Sequence, residues 1–207
     1  MVFARYVMFS EVYWHHGVRS ATAMLQRAFF ILHDSLELDS IFRMTEAEMI
    51  SEFRLAAANG PAAPLLDGLF GPTRRLYKRV AQYSFFEDAQ LYRRMAGRPY
   101  PWLTACARHF AHLAGQALGR NLAPHEILFD APPAHREVEF NVDVYYPKTD
   151  RYRRLDEVSP VVRALAQEQF DDYVKRVRIF AHPDVAENLR DRSDLAQLVS
   201  QAIDRTV

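Results

Sequence analysis

The sequence predicts an α+β protein, mainly helical, with a small antiparallel-sheet C-terminal lobe packed by helices. Apolar residues at helical spacing dominate residues 1–121, which read as one helical part. Apart from a short extended run at 76–83, strand signals gather in residues 122–207, which read as a small α/β lobe. The 207 residues carry 14 Phe, 10 Tyr and 2 Trp, enough for a sizeable core.

Residues 2–33 read as one helix, because Tyr6, Phe9, Tyr13, Gly17, Met24, Ala28 and Ile31 recur at spacings of three, four or seven. No capping residue precedes this helix, so it reads as already under way, in a chain continuing something longer. Its apolar flank predicts packing against further helices and a dimer or larger species. Ser35 to Phe42 reads as a break. Thr45 caps the next helix, Glu48 completes a capping box, and Met44 and Met49 are placed as a hydrophobic staple. Asn59-Gly60-Pro61 ends that helix near Ala58. A short helix over 62–69 follows, closed by Gly71-Pro72. Helices are expected over 86–95 and 99–118, the second with Gly119 as C-cap.

In the lobe, Ile127-Leu128-Phe129 is a short strand. Val138, Phe140, Val142 and Val144 alternate with polar residues as a half-buried strand, and Tyr152 to Leu155 pairs back after a turn at 147–150. Ser159 caps a helix with Pro160 at its first position. Lys175 to Phe180 is a last strand, and the chain from Pro183 reads as a polar, frayed helix.

Composition excludes several classes. The formal net charge is zero, so nothing draws the whole molecule to nucleic acid, and no specific nucleic-acid binding is expected. No run of 18 apolar residues is present and the first residues are not a signal peptide, so no membrane partner and a cytoplasmic location are expected. The single Cys106, among small helical residues, reads as a buried, inert thiol in a reducing compartment. Charge is uneven along the chain. Asp34 to Glu52 holds six acids and one base, whereas Pro72 to Arg98 holds seven bases and two acids. The basic set (Arg74, Arg75, Lys78, Arg79, Arg93, Arg94 and Arg98) is either a solvated face or a phosphate-binding patch.

No catalytic constellation emerges from the residues. Adjacent His15 and His16 point about 100° apart on a helix and cannot share one ion. His109 and His112 have helical i, i+3 spacing but no carboxylate or Cys beside them, and no metal site is expected. His33-Asp34 falls at a helix C-terminus, where the dipole accounts for the His. Neither a nucleophile elbow nor a glycine-rich phosphate loop is present.

The stretch from Arg5 to Arg19 (RYVMFSEVYWHHGVR) resembles the helix that follows the last metal-binding Asp in HD-domain dNTP triphosphohydrolases. The pattern there is Arg, seven residues, Tyr, one residue, His, then Lys or His. Arg74-Arg75-Leu76-Tyr77-Lys78 is similar to that family's Arg-x-Leu-aromatic-Lys strand, and 138–145 followed by 160–180 resembles its small α/β lobe. The resemblance implies that residues 1–121 continue an HD-domain core. It implies that Arg5 contacts a substrate triphosphate and that Tyr13 and His15 lie along the substrate. Helical geometry accommodates this, since eight residues rise about 12 Å with side chains roughly 80° apart. It further implies that His16, Arg74 and Lys78 bind a regulatory nucleotide, dNTP or GTP. His16 stands where the family has Lys, and an unperturbed His, mostly neutral at pH 7, is the weaker phosphate partner. The family's metal-binding and catalytic residues precede the segment matching Arg5. No catalytic residue and no cofactor are therefore expected in this chain, although the parent enzyme would use a divalent metal such as Mg, Mn, Fe or Zn. The expectation is the C-terminal portion of an HD phosphohydrolase, inactive alone and homo-oligomeric. The alternative is a non-catalytic nucleotide-binding or interaction module derived from that fold.

Overall fold

A computed structural model describes residues 4, 7–132, 142–164 and 174–206. The fold is α+β and mainly helical, with a three-stranded sheet and a two-stranded sheet. The chain forms two compact units.

The larger unit comprises His16–Gln82, Pro99–Asp130 and Arg178–Val207. Its first helix, α1, spans His16–Leu32 and buries Ala23, Met24, Ala28 and Leu32. Helix α2 (Glu46–Ala56) starts from the capping box read in the sequence. The Thr45 side chain accepts from the Glu48 N–H, and the Glu48 carboxylate accepts from the Thr45 N–H at 2.8 Å. Asn59 takes a left-handed backbone with φ 59°, and α3 (Ala63–Phe70) follows. Strand β1 covers Lys78–Tyr83. After α4 (Ala89–Met95), which belongs to the smaller unit, helix α5 runs Tyr100–Leu118 and is stopped by Gly119 at φ 66°. Strand β2 (Ile127–Asp130) pairs antiparallel with β5 (Val177–Ala181), Leu128 facing Phe180 and Asp130 facing Arg178. The sheet order is β1-β5-β2. Met24, Ala28, Phe53, Leu65, Leu66, Tyr77, Leu128 and Phe180 close into one apolar core between the helices and the sheet.

The smaller unit comprises Met1–His15, Tyr83–Arg98 and Ala131–Val177. The strands β3 (Asp143–Tyr146) and β4 (Arg151–Arg154) form its hairpin, turned at Asp150 with φ 48°. Tyr145 and Tyr152 face each other across it with ring centroids 5.0 Å apart. Ser159 caps the helix opening at Pro160, as its sequence announced; Pro160–Arg163 is helical, and the rest of the expected helix lies largely outside the described residues. The expected strand over 138–144 lies largely outside the described residues.

The structure differs from the sequence reading in several places, beginning with the break expected over 35–42, which holds the short helix Leu38–Ile41. The helix expected over 2–33 is interrupted. Phe9–Tyr13 is a π-helical turn, closed by the Trp14 N–H donating to the Phe9 carbonyl at 2.8 Å. The wider turn lets Trp14 be buried while Tyr13 is 52% exposed. The frayed terminal helix is instead two packed helices, α6 (Pro183–Arg190) and α7 (Leu195–Asp204). In α7, Leu198, Val199, Ala202 and Ile203 are buried, an i, i+1, i+4, i+5 stripe set among polar residues, and the helix packs on α5. No helix among the described residues is long and apolar enough to cross a membrane.

Candidate functional site

The site begins with the way α1 is fixed to the sheet. Ser20, buried on α1, donates to the Tyr77 carbonyl at 2.7 Å, and the Tyr77 N–H donates to the Met24 sulfur at 3.4 Å. Arg19 donates to both carboxylate oxygens of Asp130, through Nε at 2.9 Å and through Nη2. Asp130 is 4% exposed, so this two-armed pair clamps α1 to β2 inside the unit. Together these contacts set the first turn of α1 beside the start of β1.

A cavity of about 710 Å3 opens there, lined by His16 and Gly17 of α1, the segment 76–82, and Arg190 at the end of α6. Lys78, Arg79 and Arg190 are exposed cations around it. Arg190 donates through Nη2 to the Arg79 carbonyl at 3.1 Å, tying the C-terminal end of α6 to β1. Arg79 Nη1 and Arg178 Nε each donate to the Gln82 amide oxygen at 3.0 Å. Among the described residues no carboxylate pairs with Lys78, Arg79 or Arg190. Helix α1 has no acidic residue in its first turn, so its positive dipole end lies on the same side of the cavity as these three cations. The arrangement is chemically suited to a polyanion. Exposed guanidinium and ammonium groups around an open cavity are what phosphate oxygens require.

Of the sequence-derived candidates, His16 and Lys78 line this cavity. Arg74 is exposed and lies four residues before β1 begins, outside the lining. Tyr13 and His15 belong to the smaller unit. Tyr13 is exposed on the π turn with its ring 5.0 Å from that of Phe9, and His15 follows the buried Trp14. Arg5 lies outside the described residues. Arg79, Gln82 and Arg190 were not singled out as site residues from sequence. Arg79 carried a signal as a member of the basic set, whereas Arg190 gave none, because it meets β1 across 111 residues of chain.

Among the described residues no group of three or more His, Cys, Asp or Glu side chains comes together. His33 and Asp34 sit in the 3-10 turn His33–Ser35, with His33 Nδ1 2.8 Å from the Phe30 carbonyl, a local helix-end contact. Cys106 is buried on α5.

The model of the family described as "HD associated region" matches residues 1–199. The chain belongs to this family. The family's description names an association with HD-domain proteins. The chain is also 24% identical over 195 residues to an uncharacterized protein of Methanocaldococcus jannaschii. That match covers 93% of the chain but 39% of the relative, so this HD associated region spans well under half of the relative's length. No solved structure matches the chain.

Proposed function

We propose that this HD associated region is the C-terminal portion of an HD-superfamily nucleotide phosphohydrolase of the dNTP type. In this reading it contributes phosphate, nucleotide and oligomer contacts, and the divalent metal is held by another part of the protein. The observation that carries the reading is the cavity at the start of α1, where among the described residues no acid pairs with Lys78, Arg79 or Arg190. Its volume of about 710 Å3 lies in the range of small-molecule sites. Cations on two separate elements suit a ligand with several phosphates better than one with a single charge. His16 and Lys78 then face the nucleotide, with Arg74 reaching it from the preceding segment, while Arg5, Tyr13 and His15 serve the substrate side.

Calorimetry with GTP and dGTP tests this reading. Binding to the native chain is expected to weaken at least about tenfold, roughly 1.4 kcal/mol, in Lys78→Ala/Arg79→Ala. Equal binding by that variant removes the cavity from the proposal. Incubation of the chain with each dNTP and Mg2+ or Mn2+ is expected to yield no inorganic triphosphate, and its release above blank would show a metal centre within the chain.

A further inference from the structure

A second cavity in the larger unit shares no lining residue with the basic one, and it is built around a buried cation. Arg27, in the middle of α1, is 6% exposed. Its guanidinium donates through Nη2 to the Pro124 carbonyl at 3.1 Å, and among the described residues no carboxylate accepts from it. The nearby acids are committed elsewhere. Glu126 accepts from Arg120 at 3.1 Å and from the Ala123 N–H at 2.7 Å, and Asp130 is held by Arg19. A second cation, Arg108 of α5, is close enough to act electrostatically on Arg27. Burying a guanidinium with one neutral acceptor, beside another positive charge, is unfavourable unless an anion completes the site.

The space for that anion exists. Arg27, Arg108, His125, Thr104, Phe30 and Ile31 line a cavity of about 400 Å3. Thr104 spends its hydroxyl hydrogen on the Pro101 carbonyl at 2.7 Å, so donation to an anion falls to the arginines and His125. Phe30 is a fixed wall. Its ring stacks on His33 at 5.7 Å and meets the Tyr100 ring edge-on at 5.2 Å. A fixed apolar wall with a few convergent cations is the pattern of a small-molecule site.

We propose that this cavity binds a small organic carboxylate with a compact apolar body, its carboxylate on Arg27 and Arg108 and its body against Phe30 and Ile31. A planar carboxylate matches the guanidinium fork with two parallel hydrogen bonds, and the apolar wall selects against bare inorganic anions. This site lies apart from the nucleotide reading, and either stands if the other falls.

The probe is benzoate, titrated into the full chain labelled with 15N and with 13C methyl groups, with benzyl alcohol and inorganic phosphate in parallel. Benzoate is expected to saturate within about 10 mM, moving the Arg27 Nε–H and Ile31 methyl signals. Benzyl alcohol and phosphate are each expected to bind at least about tenfold more weakly, roughly 1.4 kcal/mol. Arg27→Met is expected to lose benzoate binding. Because Arg27 also holds Pro124 and its variant can misfold, the exposed Arg108→Met serves as a second test and is expected to weaken benzoate several-fold. Benzyl alcohol matching benzoate, phosphate matching benzoate, an Arg108→Met affinity equal to the native one, or no shift at the highest concentration would each overturn the proposal.

Discussion

Asp130 accepts both arms of Arg19 from the end of β2, and its near-complete burial makes that pair costly to break. Asp130→Asn keeps the shape but removes the charge that balances Arg19. It is expected to lower the unfolding free energy by about 3 kcal/mol, read from urea midpoints. His125 acts in the opposite sense. Burial, the largest cause, and the Arg27 and His182 charges hold its pKa below the usual histidine value of 6.5, with Glu126 opposing. A base whose folded pKa is depressed takes up its proton more readily when unfolded. The stability it contributes is therefore present above about pH 6.5 and is lost as pH falls through the lower folded value. The native chain is expected to lose more stability between pH 7.5 and 5.5 than His125→Gln does, and equal losses would contradict this. Neither Arg19–Asp130 nor the setting of His125 was legible in the sequence. The first pair closes across 111 residues, and the second depends on burial that no local pattern encodes.

Elements whose ends carry their own chemistry were the legible ones. Thr45 and Glu48 announced α2, Gly119 announced the end of α5, and Ser159-Pro160 announced the start of the helix at Pro160, because each signal is completed within four residues of itself. Thr45→Ala is expected to cost about 1 kcal/mol by removing the cap, measured by chemical denaturation. The break after Tyr13 was not legible, since a π turn leaves the apolar spacing on either side intact. A glycine in α3 carries a different kind of information. A Cβ on Gly68 would stand 2.8 Å from the Arg75 carbonyl oxygen, while the Arg75 N–H donates to the Gly68 carbonyl at 2.9 Å. The backbone leading into β1 therefore passes α3 at a distance only glycine allows. Gly68→Ala is expected to cost about 1–3 kcal/mol and, on the nucleotide reading proposed above, to weaken nucleotide binding along with stability, because the displaced segment leads to Lys78.

For the whole molecule, the mixed fold was readable from the change of texture near residue 121, as helical spacing gave way to short strands. The basic cavity was half readable. Lys78 and His16 stood out, but Arg190, which α6 delivers to β1 from the far end of the chain, did not. Phosphate held by exposed cations is screened by salt, since the Debye length shrinks from about 10 Å at 0.1 M to about 3 Å at 1 M. The nucleotide affinity proposed above is thus expected to fall steeply over that range, and a flat salt profile would argue against a charge-built site. Association of copies, proposed together with it, is checked by sedimentation at high protein concentration, where a species larger than the monomer is expected.

The packed helix α7 gives a practical warning to anyone trimming this protein for study. The family match stops at residue 199, whereas Ala202 and Ile203 sit beyond that limit and plug the same helix contact as Leu198 and Val199. Cutting at the apparent boundary would unplug half of that seal and leave greasy surface bare, so a shortened version is expected to clump or melt early even though every matched residue is retained.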